Sequence, residues 1–167
     1  MNFMKFSSVV ILLTLLTFGA MAQSKMPSVA LKTLNGESVD ITDYTNKGKI
    51  TVVSFWATWC KPCQKELEAV SEVYPDWVED YDMQLVAVTI DTRRQLAKVA
   101  PLVESKGWEF DILSDANQGM RNALNFQSIP YTILLDQNGN IVYEHSGYLP
   151  GDEYELEEKI KELAGKK

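Results

Sequence analysis

Ile50-Thr51-Val52-Val53-Ser54-Phe55-Trp56 is an almost unbroken apolar run, and it restricts the possible folds more than any other stretch of the chain. A strand with one wet face alternates apolar and polar residues. A run like this one is buried on both faces, inside a sheet covered by helices. Trp59-Cys60-Lys61-Pro62-Cys63 comes three residues later. From Cys63 onward the apolar period changes: Cys63, Leu67, Val70, Tyr74 and Trp77 are spaced four, three, four and three apart, which is one face of a helix. Pro75 is expected to kink or end the regular part of that helix.

The strand-to-helix junction therefore carries the only two cysteines of the 167 residues. A Cys-x-x-Cys placed there suits thiol–disulfide exchange. The first sulfur sits at a helix N-terminus, where unpaired N–H groups and the helix dipole favour the thiolate. The second lies one turn along, within reach of a mixed disulfide formed by the first. Other uses of two cysteines fit less well. A zinc site needs about four ligands, and the remaining candidate is the single histidine, His145. A structural bridge across two intervening residues closes almost no loop. Two inert core cysteines would not need this junction. No metal and no separate cofactor is expected; the redox group is a Cys60–Cys63 disulfide.

The first residues carry a compartment signal. Met1 to Lys5 hold one positive charge, Val9 to Phe18 are apolar apart from Thr14 and Thr17, and Ala20-Met21-Ala22 offers small residues for a signal peptidase. This is the layout of a secretory signal peptide over residues 1–22, leaving one domain over 23–167. The apolar run is shorter than the roughly 20 residues a membrane span needs. The expectation is an exported bacterial protein, periplasmic or otherwise extracytoplasmic, soluble after cleavage and monomeric. A net charge of −7 without a basic cluster argues against nucleic acid as a partner.

Turn residues divide the rest of the chain. Val29–Leu34 and Ser38–Ile41 flank Asn35-Gly36 and read as a hairpin. Gln84–Ile90 is a second buried strand. Thr92 with Gln95 suggests a capping box opening a helix toward Gly107, bent at Pro101. Glu109–Leu113 reads as a short strand, and Asp115 as the cap of a helix through Leu124. Tyr131–Leu135 and Ile141–Ser146 flank Asp136-Gln137-Asn138-Gly139-Asn140, a strong hairpin signal. Asp152 is expected to cap a last amphipathic helix, with Lys159, Lys161, Lys166 and Lys167 toward its C-terminal end. The class is α/β, a mixed central sheet with helices on both faces.

Phe55-Trp56-Ala57-Thr58-Trp59-Cys60-Lys61-Pro62-Cys63, followed by Ser128-Ile129-Pro130-Tyr131-Thr132 before a hairpin, resembles the thioredoxin fold. The N-terminal β-hairpin, the central αβ insertion over Thr92 to Asn125 and the export signal resemble its TlpA/ResA-like branch of extracytoplasmic thiol–disulfide oxidoreductases. The resemblance spans roughly Met26 to Leu163. It implies that Cys60 is the attacking thiol and Cys63 the resolving one. It implies a cis Pro130 facing the sulfurs, which offers the Ile129 backbone to an extended substrate and keeps metals off the thiolates. Trp59, Lys61 and Pro62 complete the expected client-contacting surface.

One position departs from thioredoxin itself. Ser54 stands where thioredoxin has a buried aspartate, and a neutral hydroxyl is no proton acceptor. Glu66, three residues after Cys63, matches an acidic position of the ResA-like branch and can share a proton with Cys63. Pro62 resembles reducing sites, whereas Lys61 stabilises the thiolate and so pulls toward an oxidising disulfide. The reading is a disulfide reductase of intermediate potential. Its partners would be disulfide-bearing exported proteins, apocytochrome c among them, and a membrane thiol-relay electron donor. Two alternatives remain: a peroxiredoxin-like thiol peroxidase, whose Pro-x-x-x-Thr-x-x-Cys signature is absent before Cys60, and a non-enzymatic thioredoxin-fold binding module. His145 reads as an edge or surface residue, and Arg93-Arg94 as a solvated helix start.

Overall fold

The computed structural model describes residues 24–165; residues 1–23, which include the expected signal peptide, and Lys166 and Lys167 of the expected last helix lie outside the described residues. The chain runs β1 (Ala30–Thr33), β2 (Ser38–Asp40), α1 (Thr42–Thr45), β3 (Ile50–Trp56), α2 (Lys61–Tyr81) and β4 (Met83–Thr89). A 3-10 turn (Leu96–Lys98) leads into α3 (Val99–Lys106), followed by β5 (Asp111–Ser114), α4 (Gly119–Leu124), β6 (Tyr131–Leu135), β7 (Ile141–Ser146) and α5 (Asp152–Ala164). The seven strands form one sheet in the order β2-β1-β5-β4-β3-β6-β7.

β3 lies at the heart of the sheet, parallel to β4 and antiparallel to β6. All seven of its residues are buried, as the apolar run requires. β5 extends the sheet parallel to β4 and pairs with β1, so the N-terminal hairpin is attached through the inserted segment. Register decides what each face presents, because directly opposed residues project to the same side. Phe55 opposes Tyr131, and these rings pack with Phe126, just after α4, at centroid distances of 4.7 to 6.0 Å. Ser54 opposes Thr132 on the other face, which α2 and α5 cover.

The parallel strands β3, β4 and β5 all end at the same edge of the sheet. The loops that follow them meet there, the usual location of binding sites in open α/β sheets.

Several local expectations need correction. α2 continues through Pro75 to Tyr81 and ends at Asp82, which adopts a left-handed conformation with φ 50°. The proline removes one backbone donor without ending a helix whose Leu67, Val70 and Trp77 are buried. Gln95 Oε1 accepts from both Thr92 N–H and Thr92 Oγ1, but the chain turns through the 3-10 segment and α3 begins only at Val99. Pro101 therefore falls in the first turn of α3, where a missing N–H costs no intrahelical bond. Gly151 (φ 109°) is the N-cap of α5, and Asp152 is its first residue. The N-cap of α4 is Gln118 (φ 60°), not Asp115, but the Asp115 carboxylate still accepts from the N–H groups of Gly119, Met120 and Arg121.

Candidate active site

Cys60 is the N-cap of α2, extended at φ −90° and ψ 99°. Its carbonyl accepts the Gln64 N–H at 3.1 Å, the first bond of the helix. Its sulfur accepts the Cys63 N–H at 3.3 Å and is bonded to the Cys63 sulfur in a closed disulfide. Pro62 fits the first turn, where no N–H is needed. Cys60 retains 5 % of its surface while Cys63 retains none, so only the first sulfur faces outward. An N–H and a helix N-terminus directed at a sulfur in this way favour the thiolate when a disulfide opens.

The turn between β3 and α2 is braced from β4 by residues that the sequence did not single out. Asp91, fully buried just past β4, accepts from Thr58 N–H at 2.7 Å, Thr58 Oγ1 at 2.9 Å and Thr89 Oγ1 at 2.7 Å. Gln64 Nε2 donates to the Thr58 carbonyl at 2.7 Å. Thr58, in the middle of the Ala57–Trp59 turn, is thus held through its N–H, hydroxyl and carbonyl, and Trp59 beside it keeps 57 % of its surface exposed. An aspartate directly after an apolar strand is the one sequence cue to Asp91.

Across the sulfurs lies the Ser128–Pro130 segment. The Ile129–Pro130 bond is cis, and the Ile129 carbonyl lies 3.9 Å from the Cys60 sulfur. Trp59, Lys61 and Pro62 are exposed beside it, and Ile129 is half-buried. Trp59, Lys61 and Pro62 thus flank Cys60 in the chain and Ile129 meets its sulfur across the site, while Pro130 itself is buried.

Glu66 lies on the inner side of α2, one turn beyond Cys63, with 6 % of its surface exposed. Its carboxyl is held by the two opposed strand hydroxyls: Thr132 Oγ1 donates to Oε1 at 2.5 Å, and Ser54 Oγ to Oε2 at 3.4 Å. Burial pushes the Glu66 carboxyl up to about 7, against the lowering effect of those two hydrogen bonds. The buried acid beneath the disulfide is thus supplied by the helix, and Ser54 becomes its hydrogen-bond donor.

A small cavity of about 10 Å³, room for roughly one water, is lined by Glu66, Thr132, Tyr143, Tyr148, His145 and Asp152. Burial and the nearby carboxylates push both tyrosines up to about 12, so they stay neutral at its wall. His145, half-buried on the edge strand, lies 3.2 Å from Asp152. Among the described residues, no group of three or more His, Cys, Asp or Glu side chains is arranged to hold a metal.

Matches to known proteins accord with this geometry. The model of the AhpC/TSA family matches residues 22–144. The thiol-disulfide oxidoreductase ResA of Geobacillus kaustophilus is 30% identical over 132 residues, 79% of this chain and 73% of that protein. The thioredoxin-like protein YneN of Bacillus subtilis is 32% identical over 143 residues, 85% and 80% of the two chains. The solution structure of a thioredoxin-like protein from Porphyromonas gingivalis superposes with a TM-score of 0.75 at 43% identity, covering 84% of this chain and 92% of that one. The fold is the thioredoxin fold, with the hairpin and the αβ insertion added.

Proposed function

We propose that this chain, which belongs to the AhpC/TSA family, reduces disulfides of exported client proteins through Cys60 and Cys63. Its broad activity is that of a thiol–disulfide oxidoreductase, the name its ResA relatives carry. The observation that carries the proposal is the inequality of the two sulfurs, one at the mouth of α2 and the other buried a turn inside.

In the reduced protein the Cys60 thiolate attacks one sulfur of a client disulfide. That S–S bond breaks, a mixed disulfide forms, and the departing client thiolate takes up a proton. Glu66 removes the Cys63 proton, and the Cys63 thiolate attacks Cys60 to expel the second client sulfur. The client gains two electrons and the protein leaves with the Cys60–Cys63 disulfide. Ile129 and Pro130 support an extended client segment beside Cys60, and Trp59, Lys61 and Pro62 contact its flanks.

Residues 1–22 act as an export signal and residues 23–167 as the working domain, a monomer outside the cytoplasm. An oxidising compartment does not re-reduce such a site, so a membrane thiol-relay protein supplies the electrons. Apocytochrome c fits as one client because its cysteines must be reduced before haem attachment.

The test is the Cys60–Cys63 reduction potential in a dithiothreitol redox series, together with turnover of a disulfide-bearing protein. A reductase should fall below about −200 mV, toward the roughly −270 mV of thioredoxin. A value near −120 mV, typical of strong periplasmic oxidants, would reverse the direction. Peroxide consumption by the dithiol with no disulfide exchange would instead establish the peroxidase alternative.

A further inference from the structure

We infer that the client segment is acidic: the surface around Trp59 is built to seat an extended disulfide-bearing strand with carboxylates beside its cysteine. The inference rests on the function proposed above and specifies its substrate class.

Trp59 is a ridge between two hollows. One, of about 570 Å³, is floored by Pro101 and Leu102 and edged by Lys98. The other, of about 240 Å³, contains Ile129 and is edged by Arg121. The segment after β4 runs from Ile90 in the second hollow to Gln95 in the first, and its exposed Arg93 and Arg94 line a separate hollow with Thr92 and Ala116. Lys61 opens α2 beside Cys60. All three arginines of the chain and two lysines thus gather where the parallel strands end, although the chain as a whole carries 23 acidic and 16 basic residues.

None of these five cations joins an ion pair among the described residues. Arg93 and Arg121 donate only to neutral oxygens, those of Asn117, Gln118 and Gln127. Two carboxylates on the segments that follow β4 and β5 are occupied: Asp91 by Thr58 and Thr89, and Asp115 by the start of α4. Asp152 and Glu153 open α5, after β6 and β7, and line one cavity with Glu66 and Thr132. The rim around Cys60 is therefore positive toward β4 and β5 and negative toward α5. Exposed cations left without partners attract a complementary chain and suppress the wrong one, chiefly through association rate. Trp59 supplies the apolar anchor such a contact needs.

The test compares two cystine-bridged peptides of equal length, one with Asp and Glu beside the cystine and the other with Asn and Gln. Initial rates are measured with the reduced protein at low ionic strength. The acidic peptide should react at least about threefold faster, with the advantage fading as salt rises to roughly 0.5 M. Arg94→Glu combined with Lys98→Glu should remove or reverse the preference. Lys47→Glu, a charge change over the distant Tyr44 ring, should preserve it, and circular dichroism confirms that each variant folds. Equal rates for the two peptides, or a preference untouched by the paired reversal, overturn the inference alone. If neither peptide is reduced, the proposed function fails and the inference with it.

Discussion

Replacing Glu66 with Gln should make the oxidised protein more stable at alkaline pH and remove a specific pH dependence. In the unfolded chain this carboxyl titrates near 4.5, and in the fold burial pushes it up to about 7. The folded state thus holds its proton across a window in which the unfolded state has released it. Unfolding is favoured as pH rises through that window, and the penalty is complete above the folded value. At 1.36 kcal/mol for each pH decade between the two values, the full penalty is about 3 kcal/mol, most of which accrues between pH 5 and 8. Glutamine keeps the shape and the Thr132 and Ser54 contacts without the ionisation. Urea denaturation of both oxidised proteins at pH 5, 6, 7 and 8 reads the difference directly. Asp115 is also raised, while Asp40 and Asp136 are lowered, but these groups are common to both proteins and cancel in the comparison. The stability gap should widen toward pH 8 in favour of Gln. Parallel curves would refute the claim that Glu66 is a buried acid with a raised pKa.

Other outcomes follow from the same site. Cys60→Ser should abolish exchange, whereas Cys63→Ser should accumulate mixed disulfides visible on non-reducing gels; alkylation of partly reduced protein should label Cys60 first. Stopped-flow measurement of Glu66→Gln should show the resolving step slowed more than the first attack, and equal effects on both would remove Glu66 from the chemistry. Thr132→Val deletes a hydrogen bond that lowers Glu66, so the carboxyl titration followed by NMR should move further upward. Asp91→Ala leaves the Thr58 N–H and hydroxyl without their partner; it should cost about 1–3 kcal/mol in denaturant unfolding and slow the first attack by loosening the turn before Cys60.

The signals readable in the sequence were those written in periodicity and turn chemistry. β3, the stripe of α2 and the β6–β7 hairpin lie where the pattern puts them, because burial on one or both faces leaves a period in the residues themselves. The segment from Thr92 to Gly107 was harder to read. Its capping residues do meet, but local hydrogen bonding between Thr92 and Gln95 is compatible with a turn as well as a helix start. The α5 start was misplaced by one position for a related reason. Gly151 takes the left-handed cap, which frees Asp152 to reach Leu149 N–H and His145. Within the site, Cys60, Cys63 and Glu66 follow from spacing along one helix. Asp91 holds Thr58, two residues before Cys60, across 33 residues of chain, and Thr132 holds Glu66 across 66, and only the fold brings these partners together.

That register also resolves the apparent defect at Ser54. Two thiols one helical turn apart must behave differently for exchange to run in sequence. Cys60 gains its advantage from position alone: it caps α2, receives a backbone N–H and faces outward. Cys63 is fully buried, and burial disfavours its thiolate, so its proton needs a nearby acceptor. The best acceptor titrates close to the working pH. A serine on β3 cannot fill that role, but paired with Thr132 across the β3–β6 ladder it grips a carboxylate delivered by α2. Moving the acid from strand to helix places it on the same rigid element as the thiol it serves in the exchange proposed above. The geometry between proton acceptor and resolving cysteine then depends on the pitch of one helix, while the packing of helix on sheet tunes its affinity for the proton.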